Sequence, residues 1–184
     1  AELIAERAAL TPGRSATLGL RLRMEPGWHV YWKNPGDSGM ATSIAWTLPA
    51  GFSAGQIQWP HPQRIELGPL TNYGYEREVV LLTEVQPPAG LTPGSSVPIA
   101  AQADWLVCKE ICIPASARLT LELPVTASPA APDARWVQPL HAARAAVPVQ
   151  APDWLATAER DPAGFILRLI PPPAAPRLEA LAFF

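Results

Sequence analysis

The residues in this sequence best suited to chemistry are two cysteines, which stand in Trp105-Leu106-Val107-Cys108-Lys109-Glu110-Ile111-Cys112-Ile113-Pro114. A thiol pair can make and break a disulfide, bind a soft metal, or lie idle. Residues four apart in an extended strand are about 13 Å from each other, whereas a disulfide needs Cα atoms within about 7 Å. The chain must therefore turn between Cys108 and Cys112 for them to bond. The closed loop would be short, and the chain-entropy relation values a five-residue loop at roughly 2 kcal/mol against about 4.7 kcal/mol for a 100-residue loop. So weak a staple favours a reversible redox role, because sandwich domains that rely on a disulfide tend to join distant strands across the core. A structural bond, a metal site and idle thiols all stay open on spacing alone. Lys109 favours a nearby thiolate and Glu110 opposes it, so local charge does not say which sulfur attacks.

Other reactive-looking residues carry less. Gly36-Asp37-Ser38-Gly39 has the look of a segment around a nucleophilic serine, but too little chain precedes Ser38 to build such a fold, and Pro35-Gly36-Asp37 reads as a turn. His29 and His61 could join the cysteines in a copper(I) or zinc site. Both lie far from the cysteines in sequence, and a local hydrogen bond is the ordinary fate of such histidines. Seven tryptophans could line a sugar-binding platform, yet several alternate with apolar strand positions and read as core. No phosphate loop, dinucleotide fingerprint or zinc-protease motif is present.

The elements that must position the cysteines follow from periodicity. Leu18, Leu20 and Leu22 alternate with polar residues, which gives a half-buried strand with one face inward. The same rhythm runs through Trp28, Val30 and Trp32; Ile44, Trp46 and Leu48; Val79 to Val85; Val97 to Trp105; and Leu119 to Val125. A weaker segment spans Gln56 to Trp59. Pro/Gly punctuation such as Asn34-Pro35-Gly36-Asp37 and Thr92-Pro93-Gly94 separates them. About seven strands in about 120 residues suit a two-sheet sandwich. The 23 prolines and a charged fraction of only 16% point the same way, toward short extended segments and turns.

The expected organisation is a sandwich domain over residues 1–126, a Pro/Ala-rich linker with a short helix over 127–151, and a β-hairpin or the start of a second β-domain over 152–184. Asp133 is the expected cap of the helix, with Trp136 and Leu140 on one face and with Pro139 and Pro148 limiting its length. The hairpin turns at Asp161-Pro162-Ala163-Gly164. The ending Leu181-Ala182-Phe183-Phe184 is too apolar for a free tail and reads as a cut inside a longer protein. The start at Ala1 fits either a cytosolic chain or a mature form trimmed of its leader. No stretch is long and apolar enough to span a bilayer as a helix. A net charge of −2, with no run of like charge, argues against nucleic acid as a partner.

Three segments together resemble the N-terminal periplasmic domain of the transmembrane disulfide reductase DsbD and, more closely, its ScsB-like relatives. They are Gly27-Trp28-His29-Val30-Tyr31-Trp32-Lys33-Asn34-Pro35-Gly36-Asp37-Ser38-Gly39, Asn72-Tyr73-Gly74-Tyr75, and the cysteine segment. The resemblance implies an immunoglobulin-like β-sandwich that belongs to a protein-disulfide reductase and works in the periplasm as a soluble domain of an inner-membrane protein. No cofactor beyond the redox-active disulfide is implied. Implied partners are periplasmic thioredoxin-fold proteins, together with membrane-embedded and C-terminal thioredoxin-like domains of the same polypeptide. Cys112 would form the mixed disulfide and Cys108 would resolve it. Asn72, Tyr73 and Tyr75 resemble an aromatic cap loop, with Tyr73 as the lid, and Trp105 is either a wall of the same pocket or a buried strand tryptophan. The C-x3-C spacing is shorter than in DsbD proper, which is why the likeness leans toward ScsB. The alternative is a non-redox sandwich module that binds protein, carbohydrate or copper and carries a structural disulfide.

Overall fold

Strands with one apolar face must pair that face with another, and this chain does so by stacking two antiparallel sheets. The computed structural model describes residues 1–151 and 153–175. The first sheet contains β1 (Glu2–Ala5), β2 (Ala16–Arg23), β8 (Glu78–Gln86) and β5 (Ser53–Ala54), in the order β1-β2-β8-β5. The second contains β3 (His29–Gly36), β4 (Ser43–Thr47), β6 (Gln63–Leu67), β7 (Leu70–Glu76), β9 (Ser96–Cys108) and β10 (Cys112–Pro124). Its order is β10-β9-β3-β7-β6, with β4 also pairing β9. Leu20, Leu22 and Leu81 of the first sheet close on Val30, Trp32 and Ala103 of the second. Leu18 and Val85 likewise meet Ile99 and Leu123. The result is an immunoglobulin-like β-sandwich.

Three departures from the periodicity reading concern the site. The Asn72-Tyr73-Gly74-Tyr75 stretch is no loop but the body of β7, which pairs with β3 on one side and β6 on the other. Its single Gly and its polar residues hide the alternation. Strand β3 continues through Asn34 and Pro35 to Gly36, because the register slips between Tyr31 and Gly36. A bulge of this kind accommodates a proline that has no N–H to give. Strand β10 starts at Cys112, well before the apolar alternation at Leu119 begins. The weak segment from Gln56 to Trp59 makes only a bridge from Gln58 to Leu82, while the neighbouring β5 supplies the pairing.

The chain divides into a compact unit, Ala1–Pro148, and a second that begins at Val149. Within the first lies α1 (Val137–Ala146), whose Leu140 and Ala143 pack on Ile4, Val80 and Leu82 of the first sheet's outer face. Gly19 permits this approach, since a Cβ there would lie 2.6 Å from Val80 Cγ1 and 3.2 Å from Leu140 Cδ2. Asp133 does not cap the helix through its side chain; that carboxylate accepts from the Arg135 backbone N–H and guanidinium, and Trp136 is the N-cap residue. Pro139 sits in the first turn, where its missing N–H has no helical partner to lose. In the second unit, β11 (Leu155–Asp161) and β12 (Gly164–Ile170) form a hairpin that turns at Pro162-Ala163. Pro152 and the ending Leu181-Ala182-Phe183-Phe184 lie outside the described residues.

Candidate functional site

A hairpin tip brings the two cysteines together. Residues Lys109, Glu110 and Ile111 connect β9 to β10, and the Lys109 N–H donates to the Ile111 carbonyl at 3.0 Å. This makes Cys108 and Cys112 direct cross-strand partners, with Cα atoms 4.1 Å apart and a disulfide between them. The two residues differ in access: Cys108 is 0% exposed while Cys112 lies exposed at the surface. On either side of Cys112, Ile111 and Ile113 show 65% and 43% of their surface to solvent. The Lys109 side chain runs along Gly27, whose missing Cβ and φ of +82° allow that approach.

Strand parity decides which residues share the disulfide's face. Cys108 pairs with His29, and side chains two apart on a strand point the same way, so His29 and Tyr31 lie on that face. The Tyr31 hydroxyl reaches to 3.7 Å from Cys112 Sγ. Its ring stands edge-on to His29, with centroids 5.1 Å apart. Both side chains are buried although they sit on the outside of the sandwich. The connection from β3 to β4 covers Tyr31. Ala41 bridges Tyr31 in parallel, and Gly39, at φ +106°, lies so close to the ring that a Cβ would fall inside it. Asn72 pins this connection, for its Oδ1 accepts from the Ser38 backbone N–H at 3.0 Å and from the Ser38 hydroxyl at 3.1 Å. Asp37 adds a bond from the Thr71 N–H to its carboxylate at 2.8 Å. Burial pushes the Tyr31 hydroxyl above its ordinary value, and a side-chain hydrogen bond with Ser38 pulls against that. Burial lowers the His29 imidazole, opposed by the charge of Glu76.

The expected cap residues are placed differently from one another. Asn72 belongs to the disulfide's face and acts there through Ser38. Tyr75 is buried in the core between the sheets, where its hydroxyl donates to the Pro60 carbonyl at 2.7 Å and burial raises its proton affinity. Tyr73 packs against the same core cluster, on the face of β7 turned away from the disulfide. Trp105 also packs on that cluster, and with Trp28, Met24, Val107 and Ile113 it lines an open apolar groove of about 330 Å³. Ile113 follows Cys112 directly, so this groove opens beside the exposed sulfur from the other face. His61 is remote in role, held to the Ala146 carbonyl at the foot of α1. Among the described residues no three His, Cys, Asp or Glu side chains group to hold a metal. Sequence reasoning missed Tyr31 and the part played by Ser38 and Gly39. The signal was available: the alternation that sends Val30 and Trp32 inward sends His29 and Tyr31 to the opposite face.

As a staple the bond is modest. We expect replacing both cysteines with serine to lower unfolding free energy by about 2 kcal/mol, the value for a five-residue loop, with the fold retained. Urea titration of the oxidised chain against the double variant reads this directly. A loss several times larger would show the disulfide to be structural.

The sequence model of the family described as thiol:disulfide interchange protein DsbD, N-terminal, matches residues 1–124. Among solved structures, the N-terminal periplasmic domain of ScsB from Proteus mirabilis superposes with a TM-score of 0.65 at 22% identity, covering 91% of this chain and 62% of that one. The likeness in structure is one of fold, and the chain spans less than two thirds of that relative. A comparison with curated protein sequences finds no match.

Proposed function

The chain belongs to the family of DsbD N-terminal domains, and from that premise we propose that it relays electrons in the periplasm, as a soluble part of a membrane-anchored protein-disulfide reductase. The observation that carries this is the asymmetry of the pair, one sulfur open to a partner and the other sealed beneath it. An incoming thiolate attacks in line with the S–S bond, and only Cys112 offers an accessible sulfur with a buried leaving group behind it.

The cycle has two halves. A dithiol donor attacks Cys112 Sγ, Cys108 leaves as a thiolate and takes up a proton, and the donor's second thiol then releases Cys112. The domain has gained two electrons and two protons, and the donor is a disulfide. In the second half the Cys112 thiolate attacks an oxidised partner, and Cys108 displaces the partner's sulfur and re-forms the bond. The donors in this reading are membrane-embedded and C-terminal thioredoxin-like domains of the same polypeptide. The acceptors are periplasmic thioredoxin-fold proteins. Apolar Ile111 and Ile113 around Cys112, and the groove that Trp105 helps line, suit the contact surface of such proteins. The working group is the disulfide itself. Cover for it comes from Tyr31 and the segment that Asn72 holds, while Tyr73, Tyr75 and Trp105 support the sheet from within.

Equilibration with glutathione redox buffers tests the proposal. The expected result is a reversible two-electron transition of Cys108–Cys112, matched by reduction of the domain by a thioredoxin-type dithiol within minutes. A bond that resists both reductants in the folded chain would overturn the exchange reading in favour of a structural disulfide.

A further inference from the structure

Four residues stand abreast across the second sheet. Cys112 on β10 pairs with Cys108 on β9, Cys108 with His29 on β3, and His29 with Glu76 on β7. Directly opposed residues of antiparallel strands hold their Cα atoms about 4.5–5.5 Å apart and point their side chains to one face. His29 is therefore flanked by the buried sulfur on one side and a carboxylate on the other. The imidazole is only 2% exposed, and its Nε2 has no hydrogen-bond partner among the described residues. A buried polar atom left unpaired is costly, and in native structures it asks for a reason.

Thiol exchange supplies one. Cys108 is fully buried, so when it must attack as a thiolate its proton has no direct path to water, and when it leaves as a thiolate its charge has no solvent to stabilise it. We propose that His29 is the proton acceptor and donor for Cys108, and that Glu76, its cross-strand neighbour on β7, is the positioning residue for the buried imidazole. This rests on the exchange reading of the disulfide. In the resolving step His29 takes the proton from Cys108, the Cys108 thiolate attacks Cys112 Sγ, the Cys112–partner bond breaks, and the partner's sulfur leaves with the electron pair. The proton then leaves His29 on the side of its cross-strand neighbour Glu76, whose exposed carboxylate passes it to solvent. Burial holds the resting imidazole neutral and Glu76 opposes that shift, which suits a base that becomes charged only briefly. Tyr31 on the same strand stands edge-on to the imidazole, with ring centroids 5.1 Å apart, and the Lys109 side chain at the hairpin tip lies against Gly27, two residues before His29.

The two steps separate with dithiobis(nitrobenzoate) as oxidant of the reduced 184-residue chain, because each step releases one coloured thiolate. His29→Gln is expected to leave the first release within about twofold and to slow the second by at least about tenfold at neutral pH. Glu76→Gln, at an exposed position where folding is safe, is expected to slow only the second release, about threefold, and to lower the His29 titration midpoint seen by NMR. In the reduced chain Cys108→Ala should shift that midpoint too, a readout that needs no change at His29. Absence of a first release in the unmodified chain would sink the exchange reading itself. A normal first release, with a second release indifferent to both variants or with both steps slowed alike, would overturn the role of His29 alone.

Discussion

Cys108→Ala is expected to arrest exchange half-way, leaving a mixed disulfide between Cys112 and an oxidised thioredoxin-fold protein that lasts for hours rather than seconds. The reasoning starts from access. Cys112 is exposed at the mouth of the hairpin and can approach a partner's sulfur in line, while Cys108 is at 0% exposure behind it. Removing Cys108 leaves the attacking sulfur in place and deletes the neighbouring thiol that would displace the partner. Forward release then depends on an outside thiol, whose concentration is far below the effective molarity of a cross-strand neighbour, and the partner's own freed cysteine can only reverse the attack; with a single-cysteine partner presented as its mixed disulfide with glutathione, the adduct's lifetime rises by at least about 100-fold. Cys112→Ala should yield no adduct at all, since the remaining thiol cannot be reached without unfolding the tip. Non-reducing electrophoresis with mass spectrometry of the cross-linked peptide reads both outcomes. Equal trapping through Cys108 would reverse the division of labour.

Gly39→Ala has the second-largest expected effect. The residue sits at φ +106°, where an L side chain is strained, and the added Cβ would fall inside the Tyr31 ring. Backbone strain of about 1–3 kcal/mol and overpacking of about 1–3 kcal/mol together put the loss of stability at about 2–6 kcal/mol. The ring can move only by leaving its place beside Cys112 Sγ and against His29. The reduced variant should therefore be alkylated at Cys108 several-fold faster than the unmodified chain, because the packing around the buried sulfur loosens. Tyr73→Ala makes the informative contrast. That ring packs on the core side of the sheet, so its loss should cost stability with little change in alkylation. Thiol-trapping kinetics together with thermal melts distinguish the two, and a fast rate in Tyr73→Ala would restore that tyrosine as the lid.

The parts of this molecule written in its sequence are those where one physical signal dominates. Leu18 to Leu22, Val79 to Val85 and Leu119 to Val125 alternate cleanly, because each strand buries one face in the sandwich, and such strands follow from period alone. The cysteine pair was legible for a similar reason: a five-residue loop admits few geometries, and the chain was required to turn there. Strand β7 was not legible, since Asn72 and Gly74 stand where an apolar alternation would continue and their reasons lie elsewhere. Asn72 holds Ser38, and Gly74 leaves room for the Val30 carbonyl of the neighbouring strand. The site's second residue from each element was hidden in the same way. Tyr31 is buried on the outer face by the β3–β4 connection and His29 lies against its ring, contacts that no local pattern encodes.

The helix α1 lies beyond residue 124, where the family match ends, yet it covers Ile4, Val80 and Leu82 on the first sheet. Cutting the chain at the edge of the recognisable family would bare that apolar patch, and a protein prepared that way should self-associate. The segment that the family model matches is thus shorter than the segment that keeps this face covered, and the folded unit closes at Pro148 rather than at the last aligned strand.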